Sequence, residues 1–124
     1  MMKKVTSRLL ALSVCTALIA SFGFLLLKLG NAQSERVVKI TAHKFAYEPN
    51  EIHLKLGEPV ILELTSKDVI HGFKIPDLGL RTDIEPGATV RLRLVPDKSG
   101  TFEFYCDNFC GVDHESMSAE IIVE

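Results

Sequence analysis

Beyond residue 36 this 124-residue chain offers no stretch with the apolar period of an amphipathic helix, no internal repeat and no low-complexity run. An α/β domain of alternating strands and helices is thereby excluded, and the length leaves room for one domain. A basic surplus is also missing. The first 32 residues take four of the 14 Lys and Arg (Lys3, Lys4, Arg8, Lys28) and none of the 16 Asp and Glu. Residues 33–124 therefore carry ten bases against 16 acids, a net of −6. Nucleic-acid binding needs a basic face, so that class is set aside. An acidic surface suits a basic partner protein or simply keeps a small domain soluble. No paired general acid and base stands out. Cysteine is scarce too, with three in all, and two of them lie close together near the C-terminus.

What is present begins with an apolar run. Leu9 to Leu29 is interrupted only by Ser13, Thr16, Ser21 and Lys28. As a helix it would span roughly 31 Å at ~1.5 Å per residue, enough for a bilayer core of ~30 Å. A secretory signal core runs only ~7–15 residues, so length favours a retained anchor. The alternative is a cleaved signal, for which Gly30-Asn31-Ala32 supplies small residues. Either way Lys3, Lys4 and Arg8 hold the N-terminus in the cytoplasm and the rest is exported. The expected organisation is an anchor or signal segment over 1–32, a linker over 33–36 and a folded domain over 37–124. Cys15, inside the apolar run, reads as buried and inert.

The exported part alternates with period two. Val38, Ile40 and Ala42 share a face, as do Ile52, Leu54 and Leu56. So do Val60, Leu62 and Leu64, then Val90, Leu92 and Leu94, then Phe102, Phe104 and Cys106, and finally Ala119, Ile121 and Val123. Such runs are half-buried strands. Gly57-Glu58-Pro59, Glu85-Pro86-Gly87 and Asp97-Lys98-Ser99-Gly100 separate them as turns. The expectation is all-β: an antiparallel sandwich with Greek-key connections, preceded by one N-terminal helix.

The chemistry is concentrated in Cys106-Asp-Asn-Phe-Cys110-Gly-Val-Asp-His114-Glu-Ser-Met117, with His71 upstream in Asp68-Val-Ile-His71-Gly-Phe. Thiolate, thioether and imidazole together favour copper over hard cations. His53 alternates outward and His43 has no evident partner, so neither is expected to bind the metal. Four readings of Cys106 and Cys110 stand. They form a disulfide, as exported thiols do. Or His71, Cys110, His114 and Met117 make a mononuclear blue-copper site, which leaves Cys106 idle. Or the pair serves thiol redox or copper delivery, although such proteins need the helices this chain lacks. Or both thiolates bridge two coppers, each with one imidazole.

The fourth reading carries a resemblance. From about Ile40 to the end, the chain resembles the dinuclear copper A (CuA) domain of subunit II of haem–copper cytochrome c oxidases, a cupredoxin. The residues that carry it are Phe45-Ala-Tyr-Glu-Pro-Asn50, Asp68-Val-Ile-His71-Gly-Phe73 and Tyr105 through Met117, with the spacing Cys-x3-Cys-x3-His-x2-Met. It looks closest to the short type with one N-terminal anchor, and the copper domain of nitrous oxide reductase is similar. The resemblance implies Cys106 and Cys110 as bridging thiolates, and His71 and His114 as terminal imidazoles. It implies Met117 as a weak ligand to one copper and the backbone carbonyl of Asn108 as a weak ligand to the other. Many relatives carry a glutamate at this middle position that also binds magnesium; Asn108 puts that second site in doubt. The chain has no tryptophan, which such oxidases often place near the copper for docking the donor. The implied partners are cytochrome c or a similar donor and the catalytic subunit of the oxidase, with the chain itself in the cell membrane and its copper domain on the outer face. Phe73, Phe102, Phe104 and Phe109 are expected to keep the surround dry. Asp107, Asp113 and Glu115 would attract a basic cytochrome or remain solvated loop charges. The chain alone would be a carrier and not an oxidase. The alternative function is a freestanding copper-storage or copper-delivery module, or a mononuclear blue-copper carrier.

Overall fold

The computed structural model describes residues 34–124; the expected N-terminal anchor or signal segment lies outside the described residues. Among the described residues no helix is long and apolar enough to cross a membrane. Nine strands follow in order: β1 (Arg36–His43), β2 (Ala46–Glu48), β3 (Glu51–Leu54), β4 (Val60–Ser66), β5 (His71–Ile75), β6 (Leu80–Ile84), β7 (Thr89–Leu94), β8 (Gly100–Tyr105) and β9 (Ser118–Val123). Single 3-10 turns occupy Pro76–Leu78 and His114–Ser116. The strands form a four-stranded sheet ordered β2-β1-β4-β7 and a five-stranded sheet ordered β3-β9-β8-β5-β6.

The alternation has a direct cause. Ile40, Ala42, Ile52, Leu54, Val60, Leu62, Leu64, Phe102, Phe104, Ala119, Ile121 and Val123 all point into one core. Each buried aliphatic or aromatic side chain there contributes about 1.5–3 kcal/mol. The opposite faces carry charge. Lys39, Glu63 and Arg91 sit abreast on three neighbouring strands, and Arg91 Nε reaches Glu63 Oε2 at 2.9 Å.

Three expectations need correction. The sandwich is not purely antiparallel, because β1 pairs with β4, and β3 with β9, in parallel. Between β1 and β4 the chain passes through β3 in the other sheet, and that extra crossing restores the original direction. Leu56 is 51% exposed and not a core residue. β3 ends at Leu54, and Gly57 turns the chain at φ +74°. Three strands went unforeseen. β2 has only three residues, β6 is largely half-exposed, and β5 is buried on nearly every residue, so none shows a clean two-residue period.

Candidate metal centre

His71 opens β5 and its side chain is fully buried. The turn before it is held by its own polar groups. Asp68 Oδ1 accepts the Val69 amide at 2.7 Å, Asp68 Oδ2 accepts the Lys44 amide at 2.7 Å, and the Ser66 hydroxyl donates to Val69 O at 2.5 Å. Asp68 Oδ1 also takes His71 Nε2 at 2.7 Å. Partial burial pushes the Asp68 carboxyl up, but the hydrogen bonds from His71 and from the two amides outweigh it and hold the group at about 2. An ionised carboxylate at Nε2 fixes the tautomer with the lone pair on Nδ1. That Nδ1 is buried and has no hydrogen-bond partner among the described residues.

The loop from Cys106 to Met117 is closed at its neck. Tyr105 pairs with Ser118, and the Cys106 amide donates to Met117 O at 3.1 Å. Cys106, Cys110 and Met117 all turn inward. The two sulfurs are 3.6 Å apart, far beyond a disulfide bond of ~2.05 Å, and both cysteines are free. One ring nitrogen of His71 and the two sulfurs lie within 4.8 Å of one another. Cys110 Sγ is 3.5 Å from His114 Nδ1 and 3.8 Å from Met117 Sδ. Asn108 turns its carbonyl oxygen to 3.0 Å from Cys106 Sγ. Burial, and next the neighbouring Cys106, push the Cys110 thiol up to about 11, so a cation arriving there must displace a proton.

The structure thus brings His71, Cys106, Cys110, His114, Met117 and the Asn108 carbonyl to one end of the sandwich. His114 touches Cys110 but stands outside the mutual group of three. His43 and His53 lie elsewhere, paired with Glu48 at 3.2 Å and Glu51 at 2.7 Å. Phe73, Phe102 and Phe104 are buried as expected. Phe109 is not, with 76% of its surface exposed; it projects from the loop, with the His114 ring 5.8 Å away. Asp107 is not a free docking charge either: both its oxygens take Arg81, at 3.1 and 3.2 Å.

Gly72 after His71 is a residue at which the sequence lets a backbone approach closely, and the structure shows that approach. Gly72 sits where the β5–β8 ladder has run down to the single pair Lys74–Tyr105. Gly72 pairs with Asp83 of β6 on one side; on the side of β8 its amide donates to Cys106 Sγ at 3.3 Å and its carbonyl accepts the Tyr47 hydroxyl at 2.6 Å. A side chain at this position would run into Asp107 Oδ1 and lie 2.7 Å and 2.8 Å from the amides of Asp107 and Asn108. Burial, then the two sulfurs, push the Tyr47 phenol far above its usual range, so it stays a donor. Arg81 bridges Asp83 at 2.6 Å and Asp107, while Asn108 Nδ2 donates to Asp83 at 3.3 Å. Edge strand β6 thereby ties down the turn that follows Cys106. The Asp-x-x-His spacing carried a signal for Asp68, and Tyr47 lies in the Phe45–Asn50 motif without its role being legible there; nothing in the sequence pointed to Arg81.

A model of the cupredoxin-like domain matches residues 14–123. The chain belongs to the cupredoxin family. This cupredoxin is 30% identical over 91 residues to cytochrome c oxidase subunit 2 of Thermus thermophilus, covering 73% of the chain and 67% of that protein. It is 38% identical over 91 residues to nitrous-oxide reductase of Cupriavidus necator, covering 70% of the chain but only 14% of the reductase. In fold it matches the periplasmic domain of subunit II of cytochrome oxidase from Bradyrhizobium japonicum. That match has a TM-score of 0.68 at 23% identity and covers 74% of this chain and 86% of that one.

The residues present fit a soft metal. A buried imidazole nitrogen without a partner faces two free thiols, and the thiols have a thioether and a second imidazole beside them. An orphaned buried acceptor costs about 1–3 kcal/mol unless something satisfies it. The donor set is right for copper and poor for magnesium or calcium.

Proposed function

We propose that this cupredoxin holds a dinuclear copper A centre and works as an electron carrier. It takes electrons from a cytochrome c or similar donor and delivers them to the catalytic subunit of a haem–copper oxidase, as a subunit 2-like chain. The observation that carries this reading is the pair of free sulfurs 3.6 Å apart, grouped with a ring nitrogen of His71. A mononuclear site would need one of those sulfurs, and a disulfide would need them bonded. Cys106 and Cys110 are the bridging thiolates, His71 and His114 the terminal imidazoles, and Met117 and the Asn108 carbonyl the weak ligands. The copper pair, when bound, supplies one-electron chemistry. The chain's own residues do the rest. Asp68 holds the imidazole of His71, Gly72 N–H donates to Cys106, and the closed neck of the loop keeps the donors from rearranging. Ligands that are already in place move little when an electron arrives, which keeps the barrier low. Residues 1–32 anchor the domain to the outer face of the cell membrane.

Copper loading of the full-length chain tests this. The expected result is two coppers per chain and an electron paramagnetic resonance hyperfine pattern from two equivalent nuclei sharing one unpaired electron. One copper with a single-nucleus pattern would move the assignment to a blue-copper carrier. Ready transfer of the metal to an apo acceptor would favour a storage or delivery module.

A further inference from the structure

We propose that Tyr47 is a positioning residue for Cys106, acting through the peptide groups of Gly72. The tyrosine is 1% exposed, and packing fixes its ring. Phe104 meets it edge-on at 4.9 Å and Phe73 at 6.1 Å, with interplanar angles of 63° and 81°. The hydroxyl donates to Gly72 O at 2.6 Å. Gly72 is the one residue between the imidazole of His71 and the core ring of Phe73, and it has no side chain of its own to fix its backbone. β6 flanks it at Asp83, but strand β8 has already turned away on the other side, so no ladder holds it there. Its conformation is set on this side by two hydrogen bonds, the one from Tyr47 to its carbonyl and the one from its amide to Cys106 Sγ at 3.3 Å. The Cys106 sulfur thus receives a backbone N–H from a strand other than its own. A hydrogen bond to a ligating sulfur draws electron density off it and favours the reduced metal. Tyr47 thereby tunes the centre through the peptide groups of Gly72.

The test uses the full-length chain with Tyr47→Phe, which keeps the ring and removes the hydroxyl. In the metal-free protein, hydrogen exchange at the Gly72 amide is expected to quicken about tenfold, the equivalent of one net hydrogen bond. In the copper-loaded protein, the ratio of reduced to oxidised centre at a fixed poise is expected to fall about threefold, a fraction of that bond. Val123→Ala is the control. It opens a cavity where β9 pairs with Leu54 and Gly100, at the end of that strand opposite Met117, and lowers the unfolding midpoint, yet leaves the packing of Tyr47 in place, so the potential should not move. If Tyr47→Phe matches the native chain in both readings, or if Val123→Ala shifts the potential as far, the proposal is overturned. Should Tyr47→Phe fail to fold, a fluorotyrosine placed at 47, a stronger donor, must move both readings the opposite way. The potential reading rests on the copper-centre assignment above; the amide reading does not. A native chain that takes up no copper defeats that assignment and leaves the exchange rate to decide the role of Tyr47.

Discussion

Gly72→Ala is the sharpest perturbation that the geometry allows. Its Cβ would sit 2.7 Å and 2.8 Å from the amide nitrogens of Asp107 and Asn108, besides running into the Asp107 carboxylate. The carboxylate can swing aside, but the two amides belong to a turn pinned by the Arg81–Asp107 and Asn108–Asp83 contacts. The backbone must shift. Overpacking of this kind costs about 1–3 kcal/mol, and losing the amide-to-sulfur bond adds ~1 kcal/mol, for a total of about 2–4 kcal/mol. In a domain of this size that is a fall in Tm of roughly 10–25 °C. The strain lands on the segment carrying Cys106, so copper uptake should weaken along with stability. Gly57→Ala provides the contrast. Nothing lies within 4 Å of a Cβ there, but φ is +74°. Its cost is conformational alone, about 1–2 kcal/mol, with copper binding unchanged. Urea unfolding of the metal-free chains and copper titration of each variant measure both quantities. If Gly72→Ala lost less than ~0.5 kcal/mol, a typical effect for a harmless surface change, or bound copper as the native chain does, the close approach at Gly72 would have no part in building the centre.

Four further outcomes follow from the same geometry. Cys106→Ser should leave His71, Cys110, His114 and Met117 to hold a single copper, read by metal analysis; an unchanged stoichiometry of two would refute the bridging role. Met117→Leu nearly conserves a buried volume, so it should cost less than ~1.5 kcal/mol in stability and keep both coppers while the reduction potential shifts; loss of all metal would make Met117 a principal ligand. Asp68→Asn removes the charged acceptor at His71 Nε2 and should weaken copper binding about 10–100-fold, the usual effect of losing a ligand's orienting partner; equal affinity would show that packing alone orients the ring. Glu48 bonds Lys67 and next His43, and both hold its carboxyl below the usual range. Because its folded-state value is lowered, its stabilisation is present above the ordinary carboxylate range and is lost as pH falls through the lowered value. The gap in urea midpoint between the native chain and Glu48→Gln should accordingly be larger at pH 7 than at pH 3, and a gap independent of pH would remove Glu48 from the account.

The inward faces of β1, β4, β8 and β9 were legible because Ile40, Leu62, Phe104 and Ile121 each alternate with polar neighbours, and burial on one face of a sheet demands nothing more. Strand direction was not, since a strand such as β4 alternates in the same way whether its neighbour runs parallel or antiparallel. β5 was hidden by its own burial: His71, Gly72, Phe73 and Ile75 all turn away from water, and no polar face marks the period. At the centre, the soft side chains announced themselves by type and spacing within twelve residues of chain. The parts that hold them did not. Tyr47 reaches Gly72 across 25 residues and meets a backbone carbonyl, and a backbone partner leaves no side-chain type in the sequence for a reader to match. Arg81 joins Asp107 across 26 residues and looks, in isolation, like any charged residue on an edge strand. Phe109 misled because an aromatic beside a cysteine suggests packing, while only the fold shows that it points outward.

The decisive step in building the centre is the place where β8 stops. Had its ladder with β5 continued past Lys74–Tyr105, the main chain of Gly72 would have been satisfied by strand partners and Cys106 would have been one more inward residue of the sheet. Because the chain turns at Cys106, the Gly72 amide is released to a sulfur and its carbonyl to a phenol, and the imidazole of His71 is left with a buried lone pair facing two thiols. A buried, unpartnered nitrogen is unfavourable in a sandwich core. It is tolerable if a metal satisfies it, and the Asp68 carboxylate on the far side of the ring, by bonding Nε2, leaves Nδ1 as the atom of the ring that can face a metal. Interrupting one ladder thus creates the acceptor, the donor to sulfur and the room for the loop together. For that reason the substitutions with the largest expected effect outside the ligands themselves fall at Gly72, Tyr47 and Asp68.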